Sequence, residues 1–286
     1  MRSSISISAV VILVATLASL SLGAAAPPDM APAAALDLRV VLILATLFFV
    51  VAILYSSVGH AGASGYLAAM ALLSIAPEVM RPTALVLNIV VAAFTTWRFR
   101  EARYFNGKAL VPFLAGSIPC AFIGGMLKLP AIAYQALVGA VLLASAAYLV
   151  WRAFSHVSTR GEIPVVAPPV PAILIGAVIG LLSGLTGTGG GIFLSPLILL
   201  LGWAGPKATA GISAPFIMIN SMAGLMGGSM VAHDLPEALP LLAGSALLGA
   251  LIGTWLGIRK LSTRALLLTL AVVMSLAAIK LIVRAI

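Results

Sequence analysis

Charge is what this chain has least of. Only 8% of its 286 residues are charged, and acidic side chains number just seven. A water-soluble domain covers its surface with about 25% charged residues, so a chain this poor in charge would leave large apolar patches in water. The seven carboxylates (Asp29, Asp37, Glu78, Glu101, Glu162, Asp234 and Glu237) all fall between or at the ends of apolar runs. None is placed to carry a proton or a sodium ion at mid-membrane, which argues against cation transport. Cysteine is nearly absent too. Cys120 alone makes neither an intramolecular disulfide nor a thiolate metal cluster, and nothing in the sequence calls for a metal or another cofactor.

What the chain does have is apolar residues, 62% of the total, with a mean hydropathy of +1.21. Runs of near-spanning length lie at 5–25, 39–58, 82–98, 109–127, 131–151, 171–184, 208–230, 238–258 and 265–283. A helix needs roughly 20 such residues to cross the hydrocarbon core. The expected fold is therefore an all-α polytopic integral membrane protein, with the lipid bilayer as its solvent. Two shorter apolar pieces, 65–76 and 191–202, each follow a Gly-rich break and read as half-helices.

The net charge of +9 comes from sixteen Lys and Arg clustered in short connections, a pattern that sets topology rather than a nucleic-acid face. Arg98, Arg100, Arg103 and Lys108 mark one cytoplasmic loop, Arg152 and Arg160 a second, and Arg259, Lys260 and Arg264 a third. The loop holding His233, Asp234 and Glu237 carries no cation and should lie outside. Residues 1–30, with Arg2, an apolar stretch and Gly23-Ala24-Ala25-Ala26, read equally as a cleavable signal peptide or a retained signal-anchor helix.

The chain also repeats its own plan. In residues 38–153 a span leads into Gly59-His60-Ala61-Gly62-Ala63-Ser64-Gly65, then a short apolar piece, the polar turn Pro77–Arg81 and a helix carrying Asn88. In residues 170–284 a span leads into Gly187-Thr188-Gly189-Gly190-Gly191, a second short piece, the turn Gly205-Pro206-Lys207 and a helix carrying Asn220. Residues 154–169 form a Pro-rich, cytoplasmic linker. The first Asn helix ends at a cation-rich loop and the second at a cation-free one, so the halves are expected to be inverted relative to each other.

Gly runs inside apolar segments break the helix and leave backbone N–H groups open, at a cost of several kcal/mol each in lipid unless they line a polar cavity. Two half-helix N-termini facing each other would cradle an anion without a buried Lys or Arg. The predicted ligand-binding set is Gly59, His60, Gly62, Ser64, Gly65, Asn88, Thr186, Gly187, Thr188, Gly189, Gly190, Gly191, Ser195 and Asn220. Isolated glycines such as Gly176, Gly180 and Gly249 read as helix-packing positions instead. His60 is the one titratable group expected at membrane depth. It is either a pH-linked group or a His bonded to the opened backbone.

The run from Leu185 through Gly189-Gly190-Gly191 to Ser195-Pro196-Leu197, with Ile212-Ser213-Ala214-Pro215-Phe216 and Asn220, resembles the sulfite exporter TauE/SafE family. Thr83–Asn88 and Thr96-Trp97-Arg98-Phe99 in the first half resemble it as well, and the likeness covers roughly residues 40–284. It implies an inverted-repeat secondary transporter in the cytoplasmic (inner) membrane. Its cargo would be a small anion such as sulfite or an organosulfonate, moved outward with or without a coupling ion, and it would not be an enzyme. This chain departs from the family pattern in its first break, which is not a plain Gly run. A competing reading comes from Gly62-Ala63-Ser64-Gly65, which matches the nucleophile motif of rhomboid intramembrane serine proteases. Such an enzyme needs a His to activate Ser64, and the later histidines, His156 and His233, fall in loops.

Overall fold

The computed structural model describes residues 36–154, 167–229, 235–259 and 264–285. The N-terminal stretch 1–30, most of the 154–169 linker, and His156 and His233 lie outside the described residues. The described residues form ten helices and no strand: α1 Leu38–Ser56, α2 Ala63–Leu72, α3 Pro77–Glu101, α4 Gly107–Met126, α5 Ala131–Phe154, α6 Pro169–Thr186, α7 Gly191–Leu200, α8 Pro206–Ser229, α9 Leu239–Arg259 and α10 Arg264–Ala285. Seven of them, α1, α3, α4, α5, α6, α8 and α9, are long and apolar enough to cross a membrane. Side chains such as Leu174, Val178 and Val283 stand exposed on the outside of the bundle, with Val178 at 62%. In water that surface would be a liability; in lipid it is the expected one.

The helix ends follow local chemistry. Asn106 caps α4 by accepting the Ala109 N–H at 3.1 Å. Glu78 stands in the first turn of α3 and Arg98 and Arg100 in its last, matching the helix dipole at both ends. The expected polar turn at Pro77–Arg81 is instead the first turn of α3, because Pro77 at the opening helical position has no N–H to lose and a backbone angle already suited to a helix. Pro206 opens α8, so the second expected turn also ends earlier than read.

Helix pairing follows an exchange pattern. α1 packs along α9, and α4 packs along α6; α3 lies against α8, and α5 against α10. Each helix of the first half therefore finds its main partner in the second. Small residues allow the close approaches. On α9, Gly249, Gly253 and Gly257 recur every fourth residue, and a Cβ on any of them would meet the Phe49, Ile53 or Ser57 carbonyl of the α1 segment within 2.3 Å. On α6, Gly176 and Gly180 abut the Phe113 and Ser117 carbonyls of α4 in the same way. The packing role expected for these glycines holds.

Candidate functional site

Two short helices, α2 and α7, follow the two Gly breaks, and each starts from a glycine in the left-handed region. Gly59 and Gly187 have φ of +82° and +84°, and three residues later Gly62 and Gly190 have φ of +107° and +79°. Both Gly62 and Gly190 are the N-caps of their half-helices, and neither cap is completed by a side chain. The two breaks are thus the same backbone device in the same register, which pairs His60 with Thr188 and Ala61 with Gly189. This explains why the first break tolerates His and Ala: glycine is kept at the two left-handed positions that the breaks share.

The breaks meet. His60 Nε2 lies 3.1 Å from the Gly191 carbonyl and 2.9 Å from Ser195 Oγ, and its Nδ1 lies 3.3 Å from the Val58 carbonyl. The histidine of the first break is therefore held against the start of the half-helix after the second, while Ser195 is bonded onward to Ser213 at 2.8 Å. Backbone carbonyls and a hydroxyl thus hold the imidazole, the arrangement described by the backbone-bonded reading of His60.

Each break also packs on the Asn-bearing helix of the other half. A Cβ on Gly59 would lie 2.1 Å from Ala210 Cβ of α8, and one on Gly187 would lie 3.0 Å from the Arg81 carbonyl of α3. A Cβ on Gly189 would strike Asn88 Nδ2 at 2.6 Å and Ile217 Cγ2 at 2.7 Å. Asn88 Nδ2 donates to Ser221 Oγ at 3.3 Å, and Asn220 Nδ2 donates to the Phe216 carbonyl at 2.9 Å. The Oδ1 atoms of both amides are buried and unbonded, as is Ser183 Oγ at the end of α6. An amide NH₂ carries a second hydrogen, so each Asn can still donate one bond and accept others. Unbonded buried polar atoms are costly, and these three belong to a wider set among the described residues that includes Ser56, Thr83 and Ser117.

Not every candidate joins this centre. Ser64 shares a 2.8 Å hydrogen bond with the Tyr55 hydroxyl, which itself donates to Met274 Sδ at 3.0 Å. Gly62 and Gly65 pack on Tyr66, Val51 and Tyr55. Ser64 and Gly65 belong to the α1–α2 contact, while Gly62 packs there and also starts α2. The protease reading fails on this geometry: the hydroxyl facing His60 is Ser195, and Ser64 faces a phenol. Thr186 and Thr188 hydrogen-bond each other at 2.9 Å, and the Thr186 carbonyl accepts from the Tyr134 hydroxyl at 3.1 Å.

Two cations near span ends, Arg81 and Lys280, are partly buried against the ends of other helices. The Arg81 guanidinium donates to the Gly124 carbonyl at 2.8 Å, to that of Leu127 at 2.9 Å and to that of Gly125. Lys280 donates to the Leu72 carbonyl and to Ser74 Oγ at 3.0 Å. Both charges sit where the last turns of α4 and α2 present free carbonyls and the negative end of the helix dipole. Ser213, Ser221 and Tyr55 are further polar groups that sequence reasoning passed over. Ser213 lay inside a quoted motif and Ser221 beside Asn220, so adjacency was the available signal.

Against known proteins, the family model described as Sulfite exporter TauE/SafE matches residues 43–281. A probable membrane transporter protein of Sinorhizobium fredii is 38% identical over 239 residues, which covers 84% of this chain and 97% of that protein. No solved structure matches.

Proposed function

The chain belongs to the sulfite exporter TauE/SafE family, and from that premise we propose that it exports sulfite or a small organosulfonate across the cytoplasmic (inner) membrane. It is a multi-pass membrane transporter and not an enzyme. In this reading residues 38–153 and 170–284 are two repeats of opposite orientation, joined by a cytoplasmic linker at 154–169. The anion sits between the breaks at Gly59–Gly62 and Gly187–Gly191, with Asn88, Asn220, Thr188 and Ser195 around it.

The observation that carries the reading is the contact of His60 with the Gly191 carbonyl. It draws together two broken segments whose half-helices both start from uncapped left-handed glycines. Free N–H groups at such ends, with the positive end of the dipole, favour an anion. No Lys or Arg is needed there, which avoids the cost of about 2.5–3.5 kcal/mol for a cation at mid-bilayer. Neutral donors also suit a cargo that must leave again, since charge-assisted bonds to N–H groups are strong yet fall short of a buried ion pair.

The test is thermal stability in detergent with sulfite, thiosulfate and small sulfonates, followed by flux in proteoliposomes. Stabilisation by one of these anions and not by chloride supports the reading. No response to any sulfur oxyanion in a well-folded sample refutes the substrate class.

A further inference from the structure

Arg152, in the last turn of α5, lines a narrow cleft, with inner room for little more than a water molecule, together with Tyr148, Ser145, Tyr55, His60 and Ile192. Ile192 is the second residue of α7, so one end of the cleft reaches both the opening turn of that half-helix and the histidine that meets it. Arg152 Nη1 donates to the Tyr148 hydroxyl at 3.2 Å, which steadies the guanidinium. No carboxylate is among the described residues lining the cleft, so nothing within it neutralises that charge.

The opposite end of the molecule is built differently. By register α2 corresponds to α7, and by order in the repeat plan α10 corresponds to α5. All but the last residue of α2 are buried, and α10 closes over its end through Lys280. On α7, Phe193, Pro196 and Leu197 instead line a groove with Tyr148 and Trp151 of α5, and Leu200 is 65% exposed. One of two related helix pairs is shut and the other stands open, and the open one holds the arginine.

We propose that this cleft is an anion-entry subsite: Arg152 captures a small oxyanion from the cytoplasmic side, and the anion then moves inward to the start of α7 and His60. The proposal rests on the anion-transport reading above. A guanidinium presents two parallel N–H groups that match two oxygens of a sulfite or sulfonate group. Arg152 and Arg160 together mark this end of α5 as the cytoplasmic side by loop charge. Tyr148 is a positioning residue here, acting through Arg152.

The experiment is uptake of labelled sulfite into inverted membrane vesicles, whose cytoplasmic face points outward, together with sulfite stabilisation of the purified full chain. Arg152→Gln should raise the half-saturating sulfite concentration by roughly tenfold or more, the loss expected for a charge-assisted hydrogen bond. That rise should exceed any fall in maximal rate, with Arg152→Lys intermediate. Tyr148→Phe, which keeps the ring and the charge, should shift half-saturation the same way by less, and it serves if Arg152→Gln fails to fold. Unchanged half-saturation in Arg152→Gln, or in both other variants where it does not fold, overturns the entry subsite and leaves the central site standing. A wild-type protein that neither transports nor is stabilised by sulfite, thiosulfate or sulfonates overturns both.

Discussion

Replacing Gly189 with alanine, alongside Gly202→Ala as a control, isolates the contact between the second break and the first-half Asn helix. Both glycines are left-handed, at φ of +73° and +65°, so each variant carries the same backbone penalty, about 1–2 kcal/mol for an L-residue there. Beyond that the two sites differ. A Cβ at position 202 meets nothing within 4 Å, whereas one at 189 would lie 2.6 Å from Asn88 Nδ2, 2.7 Å from Ile217 Cγ2 and 3.0 Å from Ser221 Oγ. Forcing an extra carbon into a packed site costs about 1–3 kcal/mol. Parting Asn88 from Ser221 leaves a buried donor unpaired for about another 1–3 kcal/mol. Gly189→Ala should therefore be less stable than Gly202→Ala by at least about 2 kcal/mol. It should also lose most of its stabilisation by sulfite, which Gly202→Ala keeps. Thermal unfolding in detergent, with and without sulfite, reads both effects. Equal melting and equal sulfite response in the two variants would refute the claim that this glycine is held against Asn88 at the binding site.

Gly190→Val places a β-branched side chain at φ +79°, 2.7 Å from Ile179 Cγ2, and should stop transport while the protein still inserts, as membrane fractionation and flux together would report. Asn220→Leu removes the amide that bonds the Phe216 carbonyl and holds the unbonded Oδ1; it should raise the sulfite concentration for half-maximal stabilisation, and unchanged half-saturation would place the site elsewhere. Ser64→Ala removes one hydrogen bond to Tyr55 and should cost about 1 kcal/mol of stability. A loss of sulfite response as large as that of Asn220→Leu would return Ser64 to the site. Topology reporters fused after Lys108 and after Glu237 should score on opposite sides of the membrane, and the same side for both would break the inverted arrangement.

The spans, the two half-helices and the family were legible in the linear chain. Of the expected spans that fall in the described residues, each begins and ends within a few residues of its hydropathy run. The shift at Pro77 came from reading proline and charge as a turn where they open a helix. The candidate site was legible in part. Gly189, Gly191, Asn88, Ser195 and His60 do come together, but Ser64 and Gly65 were grouped with them only because they adjoin the same break. Nothing local marks that Ser64 faces Tyr55 nine residues back while His60 faces Gly191, 131 residues on.

Hydropathy is a property each residue carries by itself, since transfer into lipid depends on the side chain and its immediate neighbours along a helix. That is why composition and run length alone determined that this chain crosses a membrane, and why the glycine runs alone determined where its helices must break. Partner choice is another kind of quantity. It depends on which backbones approach closely enough to be in contact, as when Gly249, Gly253 and Gly257 admit α1 to α9, and on which carbonyls are left open for Arg81 and Lys280 to fill. Those choices belong to pairs of residues far apart in the chain, and only the packed tertiary structure decided them.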